Sequence, residues 1–79
     1  MTQQTPPDAA DRQRAQRAAA AHTAASADLE EFLQRVPEVP DPADIAEYAA
    51  LLAREQAIRA ERDEAVNAIG LAAPSVEPE

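Results

Sequence analysis

Val36-Pro37-Glu38-Val39-Pro40-Asp41-Pro42 cuts the chain into two alanine-rich halves. Proline lacks the backbone N–H and its ring clashes with the preceding turn, so this stretch ends any helix that enters it. On both sides stand helix formers with apolar residues at helical spacing, and no other internal breaker precedes Gly70. The reading is all-α: an antiparallel two-helix hairpin that assembles as a four-helix bundle. Its helices cover about 8–36 and 42–69, joined by a Pro-rich turn at 37–41. Residues 1–7 and 71–79 read as disordered tails.

Helix starts are written in the sequence. Thr5-Pro6-Pro7-Asp8 offers an N-cap, a proline at the first helical position and an acid three residues on. Asp28-Leu29-Glu30-Glu31 is a second capping signal, so a shorter first helix beginning near Asp28 is the alternative to one long helix with a mobile N-terminal part. Asp41-Pro42-Ala43-Asp44 is the stronger start, with Val39 placed to staple against Ile45. Gly70, the one glycine, follows the last periodic residue, where a left-handed cap is expected, and Leu71 would pack beside it.

The first helix carries a stripe of Ala15, Ala18, His22, Ala25, Leu29, Phe32 and Val36, widened by Leu33. It is small at one end and bulky from Leu29 onward. On a helical wheel the second helix gathers Ile45, Tyr48, Leu51, Leu52, Ile58, Val66 and Ile69 on one face. No alternating segment suggests a strand.

Composition limits what this object can be. The chain has 79 residues, enough for one small domain. Alanine supplies more than half of its apolar total, while Leu, Ile, Val and Phe together number only thirteen. Such a thin core points to burial against another copy or a partner, or to folding on binding. Net charge is −8 with no lysine and no cysteine. That disfavours generic binding to nucleic acid or anionic lipid, and it excludes disulfides, thiolate metal sites and thiol catalysis. Neither a signal peptide nor a membrane span is evident, so the expected location is cytoplasmic.

Glu55, Arg59 and Arg62 are the unusual feature, because they fall on the apolar face of the second helix. As a surface patch they would be i,i+4 pairs, Glu55 with Arg59 and Arg59 with Asp63, with the Arg stems covering apolar surface. As a polar layer inside a helix interface they would set register or partner, with Arg59 and Arg62 facing Glu30 or Glu31. The surface reading is favoured, since few apolar residues there demand burial.

His22, the one histidine, reads as an interfacial structural residue. No Cys or second His is available to complete a metal site, and Ser26 lacks an orienting acid for nucleophilic chemistry. Arg12, Arg14 and Arg17 read as a solvated face with Asp8 and Asp11 as counterions. Phe32 and Tyr48 read as core anchors across the hairpin. One glycine cannot build a phosphate loop. No catalytic, cofactor or metal site is expected.

Residues 51–66, LLAREQAIRAERDEAV, resemble the helix that precedes the DNA-reading unit in small helix-turn-helix proteins of actinobacteria and their phages. Arg59, Arg62, Asp63 and Ala65 match its R-x-x-R-D-x-A-type pattern, and Gly70 falls where the turn would begin. The sequence then ends without a recognition helix. The resemblance implies a phage, plasmid or regulatory setting and carries over no functional residue.

The expected function is a non-catalytic protein–protein interaction or self-assembly module that binds a copy of itself or another helical protein. Its working residues are Leu29, Phe32, Leu33, Val36, Ile45, Tyr48, Leu52 and Ile58, with Glu55, Arg59 and Arg62 setting specificity. The alternative is a nucleic-acid-associated accessory protein.

Overall fold

A computed structural model describes residues 8–71, which fold as two helices packed on one another: α1, Ala9–Arg35, and α2, Pro42–Ala68. The all-α hairpin is as expected. Among the described residues there is no strand.

α1 is one continuous helix, running through Thr23, Ser26 and Asp28 without a break. Thr23 is accommodated by donating its hydroxyl to the Ala19 carbonyl, 3.1 Å away. The start differs from expectation. Asp8 is the cap, its carboxylate accepting the Asp11 N–H at 2.8 Å, while Thr5 lies outside the described residues. Asp8 wins because its short acceptor reaches the free N–H groups of the first turn and its charge suits the helix dipole. At the other end Val36 is extended, with ψ 138°. Pro37 forces this, since its ring excludes the helical conformation from the residue before it.

α2 opens with a complete capping box. Asp41 accepts from the Asp44 N–H at 2.9 Å, and Asp44 accepts from the Asp41 N–H at 3.0 Å. Pro42 sits at the first turn, where no N–H is missed. The expected Val39 staple does not form: Val39 is 84% exposed, and Pro40 borders Ile45 instead. α2 closes in a Schellman motif. Gly70 adopts φ +86°; its N–H reaches the Asn67 carbonyl at 3.0 Å, and the Leu71 N–H reaches Val66 at 3.1 Å. Leu71 therefore belongs to the helix cap and not to a tail. The other expected tail residues, 1–7 and 72–79, lie outside the described residues.

Phe32 meets Tyr48 with ring centroids 6.1 Å apart and tilted by 32°. This antiparallel register brings Ala25 level with Glu55, His22 with Ile58, and Ala15 with Ala65. The buried set is Ala15, Ala25, Phe32, Ala65 and Glu55. Three of the four buried apolar residues on α1 and α2 are alanines, which allow two helices to approach closely but bury little area each. Leu29, Val36, Leu51, Leu52, Ile58, Val66 and Ile69 are half-buried around them. Phe32, Leu33, Val36, Ile45 and Tyr48 gather toward the turn, here called the closed end; at the opposite, open end the buried residues are Ala15 and Ala65, with Val66 and Ile69 half-buried beside them.

Candidate functional site

Two features stand out on this scaffold, a polar cluster within the seam and an apolar groove at the closed end. Glu55 is 5% exposed because α2 turns its carboxylate toward α1, where it meets His22. Its oxygens are fully engaged. Arg59, one turn on, clasps both of them at 2.7–3.0 Å. His22 of α1 meets Oε2 through Nε2 at 2.8 Å. The second imidazole nitrogen, Nδ1, lies 3.1 Å from Nη1 of Arg62.

Those contacts decide the histidine tautomer. A guanidinium can only donate, so Nδ1 accepts and the proton resides on Nε2, which donates to Glu55. Both ring nitrogens are thereby used, and neither is left to serve Ser26. Arg62 also donates to Asp63 at 2.9 Å. The Glu55 carboxyl is held below the usual carboxylate range, first by Arg59, then by His22, against the upward push of burial. Arg59 is correspondingly held more firmly charged by Glu55.

This divides the sequence reading of the three charged residues. Glu55 and Arg62 do belong to a polar layer between helices, contrary to the favoured surface reading. Arg59 fits the surface reading, half-exposed and paired within its own helix. The Arg59 and Arg62 hydrogen bonds go to Glu55, His22 and Asp63 rather than to Glu30 or Glu31. Three further pairs bind α1 to α2 along the flanks: Arg14–Glu64 at 3.4 Å, Asp28–Arg54 at 2.9 Å, and Arg35–Glu47. Such pairs were not visible without the register. Arg14 therefore does more than face solvent.

At the closed end Phe32, Leu33, Val36, Pro40, Ile45 and Tyr48 line a groove of ≈ 210 Å³, with Asp44 at its edge. Phe32 forms its floor, 2% exposed, whereas Leu33 and Ile45 are 55% and 61% exposed. Arg35 lies with Cζ 5.0 Å over the Phe32 ring. The expected partner-binding residues thus separate by place. Phe32, Leu33, Val36, Ile45 and Tyr48 surround one groove. Leu29, Leu52, Ile58 and Glu55 are spent on closing the hairpin, with Arg62 beside them.

Among the described residues no group of three or more His, Asp or Glu side chains is placed to hold a metal ion. No helix among them is long and apolar enough to cross a membrane. No protein-family model, curated protein or solved structure matches this chain.

Proposed function

We propose that this chain is a non-catalytic interaction module: a short antiparallel coiled coil that presents the apolar groove of its closed end to a helical partner. One observation carries the reading. Leu33, Val39, Ile45 and Tyr48 remain exposed in a chain that has few large apolar residues to spare. Exposed apolar clusters beside a buried aromatic are typical of docking sites. A second copy of the chain is another occupant, and pairing of two hairpins would give a four-helix bundle.

Sedimentation equilibrium over a concentration series, with far-UV circular dichroism on the same samples, tests this. The Leu33→Ser/Ile45→Ser variant should keep its helicity, because both side chains are exposed, and should lose association with itself or with a helical peptide. A wild-type chain that stays monomeric and binds no helical peptide would overturn the reading.

A nucleic-acid-associated accessory role is the alternative. Arg59 and Arg62 are already committed within the hairpin, and the net charge opposes it. A salt-sensitive mobility shift with duplex DNA would revive it.

A further inference from the structure

The closed-end groove is surrounded by negative charge. Between Asp28 and Tyr48 the sequence holds seven acids and one base, Arg35, a net of −6 within a chain of −8. Residues 1–27 carry +1 and residues 49–79 carry −3, which completes the total. Arg54 of α2 pairs with Asp28, and even with that base counted the apolar surface and an excess of negative charge coincide at one end of the molecule.

From this coincidence we infer that the groove receives a cationic amphipathic helix, one that sets apolar side chains into the valley and Arg or Lys side chains against the acidic rim. The inference rests on the interaction-module reading and specifies the partner's chemistry.

The rim is identifiable. Asp44 lines the groove, Glu38 and Asp41 flank Val39 and Pro40 in the turn, and Glu31 stands one turn before Arg35. Arg35 displays the chemistry in miniature. It lies over the Phe32 ring and pairs with Glu47. Glu47 raises its pKa most strongly, with Glu31 and Asp44 adding to the same field.

Other occupants fit less well. Docking the same surface of two copies would set one acidic end against another, a like-charge juxtaposition that interfaces avoid. Anionic lipid carries the same wrong sign. A volume of ≈ 210 Å³ lies below the roughly 300–1,000 Å³ of small-molecule sites and suits anchoring side chains. The valley runs between two helices, Leu33 and Val36 on one wall and Ile45 and Tyr48 on the other, which is the geometry of helix-in-groove recognition.

The test titrates the full-length chain into a fluorescently labelled Leu/Lys peptide of roughly five turns, with leucines at 3,4 spacing. A Leu/Glu peptide of identical pattern is the control. The Leu/Lys peptide should bind at least about tenfold tighter, a difference of about 1.4 kcal/mol, and weaken as salt is raised. Leu33→Ser/Ile45→Ser should lower that affinity at least about tenfold, and Glu31→Gln/Glu38→Gln by a smaller factor. Equal or tighter binding of the Leu/Glu peptide would overturn the charge assignment while leaving the interaction module intact. Leu/Lys binding that persists undiminished in the Leu33→Ser/Ile45→Ser variant would overturn the groove as its site. Binding of neither peptide would overturn the inference, and a monomeric chain in sedimentation would then remove the broader reading as well.

Discussion

His22 donates its Nε2 proton to Glu55 across the seam at 2.8 Å, so the most polar layer of the hairpin joins its two helices by a directional bond. Apolar layers on either side tolerate sliding and rotation far better. A hydrogen-bonded pair at a seam position is satisfied in one register only, the usual service of buried polar residues between helices.

The pH response of this layer has a definite sign. Glu55 is held below the usual carboxylate range, so its contribution is complete above the ordinary glutamate value near pH ~4.3. It is lost as pH falls through the lower folded value. Thermal melts followed by circular dichroism from pH 7 to pH 3 should show wild type losing Tm faster than Glu55→Gln on the acid side. Parallel curves would mean the layer is not responsible.

Replacing the pair should separate stability from specificity. His22→Leu/Glu55→Leu removes the desolvation cost and fills the seam with apolar volume, so its Tm should equal or exceed that of wild type. The same variant should show mixed stoichiometry in sedimentation, because nothing then excludes other pairings. Glu55→Ala, which strands His22 and Arg59 without their acceptor, should lower Tm.

Packing predictions follow from the alanine layers. Ala65 is 1% exposed, and Ala65→Leu should cost about 1–3 kcal/mol by forcing the helices apart. Phe32→Ala, at the one large apolar side chain buried among the described residues, should cost about 3–5 kcal/mol. In so small a core that is enough to lose most of the helical signal at 25 °C.

The caps offer a quieter check. Asp41→Ala removes the half of the capping box in which the Asp41 carboxylate accepts from the Asp44 N–H, leaving the backbone N–H at position 41 on Asp44, and should cost about 0.5–2 kcal/mol. A methyl group at Gly70 meets nothing within 4 Å, so Gly70→Ala should cost about 1 kcal/mol through its positive φ alone. Urea titrations with unchanged m-values would register both.

Much of this fold was legible because local rules act locally. The proline-bearing turn, the Asp41 box, the Gly70 cap and the α1 stripe all follow from nearest neighbours. What stayed hidden depended on the partner helix. Hydropathy assigns Ile45 to the apolar face, yet Asp44 is half-buried and Ile45 exposed. The seam steps through 44, 48, 51, 55, 58, 62, 65 and 69, a 3,4 spacing that a straight 3.6-residue wheel gradually leaves. Ala65 vanished among the other alanines. Polarity argues for solvent at Glu55, and only the register shows that His22 of α1 supplies a donor for it. Of the groove, hydropathy and spacing mark every residue except Pro40 and Asp44; their joining at one end depends on the register.

The taper from Phe32–Tyr48 to Ala15–Ala65 also has a mechanical meaning. The outer ends of both helices, Ala9 and Ala68, lie at the open end, where the buried residues are the small Ala15 and Ala65. A pull on those ends loads the seam one layer at a time, beginning with the layer of Ala15 and Ala65 and ending at the layer of Phe32 and Tyr48. The hairpin should thus yield by peeling at low force, while the aromatic pair and its turn hold longest, as the last rung of a ladder.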